Sequence, residues 1–293
     1  MPQLRWRAAA PAGARDVTTF VDGIRLTWGE SLRWDDRADR LYFVDCATQR
    51  LHWLDGGEPP LHTVQLASLP TGMALTESGA LLVCMDLGLH VVDPDAGTAE
   101  LRATYPDGMH GRANDMTATH DGGVVTGTLN LGPGPGALWR WHPADGWSPI
   151  DDDNGNVNGP VPFADGTVVV ADSVAGTVYR YPPGGGARTT IFDHRSIGGS
   201  PDGACADADG GVWSCSLARG ALVRLHGDDG PRIVDVPVRH PSDITFGAAD
   251  LGRAFVVSIA LDFGLGPPND DDGKLLVLDD LGVRGVPEPR VAV

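Results

Sequence analysis

The sequence predicts an all-β fold, a six-bladed β-propeller whose sheets surround a central channel, and three observations lead there. A short event recurs six times, a few polar residues followed by an apolar strand, opening at Glu30, Gly72, Asn114, Asn158, Asp202 and Asp243. Those positions stand 42, 42, 44, 44 and 41 residues apart. The turns that follow, at Asp39, Ser78-Gly79, Asp121-Gly122, Asp165-Gly166, Asp209-Gly210 and Asp250, keep nearly the same step. A period of roughly 40 to 50 residues with several short strands per unit is the signature of a propeller blade. A β-sandwich or a barrel of hairpins requires no such constant step.

Each element follows from its own text. Residues 16–21 (DVTTFV) have strand character and precede the first repeat, so they are expected to complete the last blade and remove an unpaired sheet edge. Blade one reads RLYFVDCATQRLHWLD, blade two ALLVCMDLGLHVVDPDAG, and blade three GGVVTGTLN followed by GALWRWHPADG. Blades four and five, GTVVVADSVAGTVYRYPPGG and GGVWSCSLARGALVRLHGDDG, share one design of strand, small polar turn, strand and Gly/Pro/Asp loop. Blade six, RAFVVSIALDFG, resumes at GKLLVLDD after an insert. Period-two alternation rich in β-branched and aromatic residues supports each strand. Residues 131–136 (LGPGPG) and 263–273 (FGLGPPNDDDG) are expected to be loops, the places on a rigid ring where specificity resides. With no linker interrupting the repeat, residues 1–293 are read as one propeller domain.

Composition narrows the function classes. Apolar residues make up 42% of the chain, enough for a large core. A formal charge of -17 argues against nucleic acid or an anionic membrane as partner and leaves a small molecule as the expected one. That charge serves solubility, or an acidic basin that attracts a cation. Lys274 is the sole lysine, which disfavours Schiff-base chemistry. Cys46, Cys84, Cys205 and Cys215 form no C-x-x-C pair and read as buried reduced thiols. The first residues lack the apolar core of a secretory signal and no stretch of about 18 apolar residues occurs, so a cytoplasmic location is expected.

Equivalent positions of successive blades meet around the axis, so Glu30, Asn114, Asn158 and Asp202 are expected to converge in space. Carboxylates and amides without sulfur or histidine suit a hard divalent cation such as calcium, magnesium or manganese. Taken singly, each such residue is equally a turn cap. His110, just before R-A-N-D, is read as a solvated or structural residue, and Trp28 and Met109 as packing residues that could wall the channel mouth. Competing signatures fail. Around Ser200 the text is G-G-S-P-D rather than a nucleophile elbow, no H-E-x-x-H or phosphate loop occurs, and the acidic run NDDDG would place Pro268 at the first calcium-ligand position of an EF-hand.

The stretches WGESLRWDDRADRLYFVD, GRANDMTATHDGG, NVNGPVPFADGTVVVADS, SPDGACADADGGVWSC and HPSDITFGAADLGRAFVVS resemble the SMP-30/gluconolactonase/regucalcin-like lactonases in order and spacing. The resemblance implies a six-bladed propeller that binds one divalent cation, calcium, magnesium, manganese or zinc, in its channel and opens a lactone with metal-activated water. Glu30 of the G-E motif, Asn158 of N-G and Asp202 of P-D-G match the family's metal ligands, and Arg112 and Asn114 of R-A-N-D match its substrate-orienting pair. Asp202 is further read as assisting proton removal from the water. Two departures bear on the substrate. Ser31-Leu32 replaces the family's Gly-Pro after the glutamate, and Leu129-Asn130-Leu131-Gly132 stands where sugar-lactone members often carry acidic residues. The second weakens the polar grip on a sugar and points toward a less polyhydroxylated ring. Alternative readings are a phosphotriester hydrolase using the same Lewis acid, and a non-catalytic propeller whose cation ties blades together.

Overall fold

The computed structural model describes residues 18–130, 135–227 and 230–293, so Asp16, Val17 and Leu131 lie outside the described residues. Its strands, in chain order, are β1 (Thr18–Phe20), then four in each of the first five repeats and three in the sixth. Blade one is β2 (Gly29–Asp35), β3 (Arg40–Asp45), β4 (Arg50–Asp55) and β5 (Glu58–Gln65); blade two is β6 (Met73–Leu75), β7 (Leu81–Met85), β8 (Gly88–Asp93) and β9 (Thr98–Thr104). Blade three is β10 (Arg112–Ala118), β11 (Val124–Leu129), β12 (Gly136–His142) and β13 (Gly146–Asn154). Blade four is β14 (Val157–Pro162), β15 (Val168–Asp172), β16 (Thr177–Tyr181) and β17 (Thr189–Asp193). Blade five is β18 (Ser200–Ala206), β19 (Val212–Leu217), β20 (Ala221–Leu225) and β21 (Arg232–Asp235); blade six is β22 (Pro241–Gly247), β23 (Arg253–Ser258) and β24 (Leu276–Asp279). Six four-stranded antiparallel sheets result, and the sixth is completed by β1 pairing with β24, Thr19 opposite Val277.

Burial follows the distance of each strand from the axis. The innermost strands β2, β14 and β22 are buried at every position, because each is covered by a neighbouring blade on both sides. The outermost strands β5 and β9 are exposed at most positions. The core is therefore a set of wedges between blades rather than one central mass. Leu32 and Trp34 of blade one pack with Phe255 and Val257 of blade six, and Trp34 stacks on Phe255 at 5.8 Å. Trp213 of blade five meets Phe246 of blade six edge-on. The axis itself is left to polar side chains.

Two features position the site. First, five innermost strands break register with their neighbours, between Glu30 and Arg33, Ala113 and Met116, Asn158 and Val161, Pro201 and Ala204, and Pro241 and Asp243. Such bulges turn side chains that a flat strand would bury between blades toward the axis. Ser31 at φ 55 and Gly159 at φ 46 mark two of them. Second, the C-terminal segment crosses the opposite end of the channel. Ala208 N–H donates to Arg284 O, Gly285 N–H to Leu251 O, Val291 N–H to Leu75 O and Ala292 N–H to Gly122 O, so this tail runs from blades five and six to blades two and three. It lies over the turns between first and second strands and floors the channel.

The four cysteines are free; Cys46, Cys84 and Cys215 are buried, while Cys205 is only half-buried. Residues 263–273 contain no strand, whereas of residues 131–136 only Pro135 and Gly136 are described, and Gly136, expected in the loop, opens β12 by pairing with Asn154.

Candidate active site

The bulges gather the polar side chains singled out in the sequence at one end of the channel. Glu30, Asn114, Asn158 and Asp202 are all buried. Asn114 and Asn158 touch directly, Nδ2 of the former lying 2.5 Å from Oδ1 of the latter. Glu30 and Asp202 lie close enough for Asp202 to push the Glu30 pKa upward by repulsion.

Hydrogen-bond accounting fixes how the amides point. The Ser173 hydroxyl donates to Pro201 O at 2.6 Å, so its oxygen can only accept from Asn158, whose Nδ2 stands 2.7 Å away. Asn158 therefore aims its carbonyl oxygen at the channel. Asn114 Nδ2 in turn faces three acceptors, Asn158 Oδ1, Val157 O at 3.0 Å and Asn156 Oδ1 at 3.2 Å. Its own Oδ1 is the acceptor left over.

Burial and mutual repulsion dominate the electrostatics of the two carboxyls. Burial holds the Glu30 carboxyl well above the usual range, repulsion from Asp202, Asp243 and Asp115 adds to it, and the Trp28 indole N–H at 2.9 Å opposes it. Burial likewise raises Asp202, with Asp115 and Asp243 adding repulsion and the Gly203 backbone N–H opposing. Among the described residues, the groups that most shift either carboxyl include no arginine or lysine. Buried carboxylates without a positive partner are costly. Two of them beside an amide oxygen form an all-oxygen donor set suited to a hard divalent ion. Among the described residues no three His, Cys, Asp or Glu side chains cluster at ligand distance, so an ion here depends on the Asn158 carbonyl.

Beneath this set lies a layer that sequence reasoning missed. Arg33, almost fully buried, donates through Nε to Met73 O at 2.7 Å and through Nη2 to Met116 O at 2.5 Å and Asp115 Oδ1 at 3.3 Å. Asp243 at 3.6 Å and Glu288 of the tail at 3.4 Å complete the carboxylates around it. One guanidinium thus joins blades one, two, three and six to the tail. Asp115 Oδ2 then accepts from Gly159 N at 2.9 Å, and Asp243 Oδ2 from Leu32 N at 2.7 Å. Through these bonds the layer fixes the backbone next to Asn158 and two residues past Glu30. Arg33 carries no motif, and only its place inside an apolar strand (LRW) could have signalled a buried charge needing partners.

Arg112, half-buried, stacks its guanidinium over the Trp28 ring at 5.3 Å, and its Nε is buried without an acceptor. Trp28 links it to Glu30. His110 is exposed, while Met109 is half-buried.

The chain matches the SMP-30/gluconolactonase/LRE-like region over residues 28–260. It belongs to this family. Among curated relatives, it is 30% identical to a pentonolactonase of Haloferax volcanii over 94% of this chain and 97% of that one. It is 28% identical to a 6-deoxy-6-sulfogluconolactonase of Pseudomonas putida over 78% and 82%. Among solved structures, the calcium-binding protein regucalcin of Agrobacterium tumefaciens superposes with a TM-score of 0.82 at 22% identity, covering 94% and 97% of the two chains. At that identity the last likeness speaks for the shared propeller alone.

Proposed function

We propose that this protein is a divalent-cation-dependent lactonase whose ligands are Glu30, Asn158 and Asp202. The observation that carries the reading is the pair of buried carboxylates, Glu30 and Asp202, with no arginine or lysine among the groups that most shift them and with the Asn158 carbonyl turned toward the same channel. The names of the relatives, a pentonolactonase and a sulfogluconolactonase, favour a cyclic ester as substrate. A bound divalent cation supplies Lewis-acid polarisation of the lactone carbonyl and a water of lowered pKa. Arg112 offers a buried Nε–H without an acceptor, suited to hold an oxygen of the substrate as charge develops. Asn114 Oδ1 is placed to accept from a hydroxyl. The water oxygen would bond to the carbonyl carbon as Asp202 takes its proton; the acyl C–O bond of the ring then breaks, and the ring oxygen receives that proton and leaves as the hydroxyl of a hydroxy acid.

The test is ring opening followed by acid release, after chelation and again after adding calcium, magnesium, manganese or zinc. Turnover is expected to vanish on chelation and return with one of these ions. Asp202→Asn is expected to lower kcat/KM by about 100-fold or more. Full turnover in chelated protein would overturn the reading, and an ion that raises the Tm without supporting hydrolysis would assign the channel a purely structural ion.

A further inference from the structure

We infer that the substrate is a lactone bearing an apolar substituent, and that Trp28 and Phe263 form the wall against which that substituent packs. The inference rests on the lactonase reading and specifies its substrate class. Trp28 is held at the site by its indole N–H bond to Glu30 Oε1 and by Arg112 over its ring. Phe263, from the insert between β23 and β24, meets Trp28 edge-on, ring centroids 5.0 Å apart at 62°. Its side chain is nevertheless 51% exposed, the one aromatic among the exposed large hydrophobic residues described.

Half-exposed phenyl surface costs free energy that a pliable loop would recover by folding inward. This loop is not pliable. Arg239 donates to Pro267 O and Leu265 O, Asp272 accepts from His240 N and Asn269 N, Gly273 N–H donates to Ser258 Oγ, and Asp262 Oδ1 accepts from Gly264 N. Phe263 is therefore displayed at the channel mouth by a pinned scaffold. Its free surface continues the Trp28 wall next to Glu30.

Two carboxylates near this mouth are already engaged by backbone donors. Asp45 is occupied by the backbone N–H groups of Thr27 and Trp28, and Asp172 by those of Gly155, Asn156, Val174 and Ala175. Val174, in the loop after Ser173, adds a second exposed apolar group, 72% accessible. A polyhydroxylated ring would leave its hydroxyls against aromatic surface, whereas an alkyl or aryl substituent would bury apolar area there.

The test compares δ-gluconolactone, γ-butyrolactone, γ-nonalactone and γ-phenyl-γ-butyrolactone, with the cation-loaded wild type and with Phe263→Ala. The two substituted lactones are expected to exceed gluconolactone in kcat/KM by about tenfold or more. Phe263→Ala is expected to lower kcat/KM about tenfold for those two and to leave γ-butyrolactone within twofold. Preference for gluconolactone, or an equal loss across all four, would overturn the inference while leaving lactone hydrolysis intact. Calorimetric binding of the ring-opened acid, 4-hydroxy-4-phenylbutyrate, reads the same contact without turnover. Equal affinity in wild type and Phe263→Ala would refute the wall, and no hydrolysis of any panel member would refute the lactonase reading as well.

Discussion

Two buried histidines sit where their charged forms are suppressed. His194 is fully buried, with Nδ1 3.1 Å from Ser216 Oγ and Nε2 without a partner, and burial brings its pKa down to about 4 against the pull of Asp193. His52 is brought to about 4 by burial as well, with Asp45 opposing and Arg50 assisting. In the unfolded chain both titrate near 6.5. Between about pH 6.5 and 4 the unfolded state thus takes up protons that the native state refuses, and stability falls as the pH drops through that window. At about 1.4 kcal/mol per pKa unit, each histidine contributes up to about 3 kcal/mol of this loss. Urea unfolding of the wild type and of His194→Gln at pH 7 and pH 4.5 checks it. The stability difference between the two proteins is expected to shift in favour of the variant by about 2 kcal/mol on acidification. An unchanged difference would show that His194 keeps its proton in the fold. Taking the difference cancels the carboxylates common to both.

An inner strand with a bulge does two jobs, since it closes the wedge between blades and turns a polar side chain to the axis. Gly159 lies where both meet. Its φ is +46, and a Cβ there would stand 2.6 Å from Ala204 N and 2.9 Å from Asp202 O, so nothing but hydrogen fits between β14 and β18. Gly159→Ala is expected to force these strands apart, costing about 1–3 kcal/mol. Because Asn158 and Asp202 flank the contact, calorimetry should also find the cation bound about tenfold more weakly. Gly146→Ala provides the comparison, since its φ is +76 but no atom lies within 4 Å of the added Cβ. That variant is expected to lose about 1 kcal/mol from the backbone alone and to bind the ion normally. Equal ion affinity in the two variants would separate the bulge from the site.

The ring as a whole was legible because its repeat is a matter of counting: a step of 41 to 44 residues places six sheets without reference to any contact. That Glu30, Asn158 and Asp202 would all lie buried on the innermost strands was legible too, since they stand at equivalent positions of the repeat. Less visible was anything fixed by contacts between distant segments. Nothing in the text EPRVAV announces that Glu288 reaches Arg33, or that Arg290 pairs with Asp35 and Asp36 across more than 250 residues of chain. The tail nonetheless completes the charge balance of the axis. Arg33 faces Asp115, Asp243 and Glu288, so three carboxylates surround one guanidinium, and the repulsion of Asp115 and Asp243 reaches Glu30 and Asp202 above. Replacing Glu288 by glutamine keeps the shape and the bond to the Thr245 hydroxyl but removes one negative charge from that layer. Arg33 is then neutralised by Asp115 and Asp243 alone, and the potential at the cation site becomes less negative. Glu288→Gln is expected to weaken calcium or manganese binding by about tenfold, with the Tm lowered by no more than a few degrees. Arg290→Ala should act differently, leaving Asp35 buried without its partner and lowering the Tm by about 5–10 °C, while ion affinity in the folded protein stays within about threefold. If Glu288→Gln bound the ion as tightly as the wild type, the floor of the channel would be electrically isolated from its mouth, and the tail would act only as a mechanical closure.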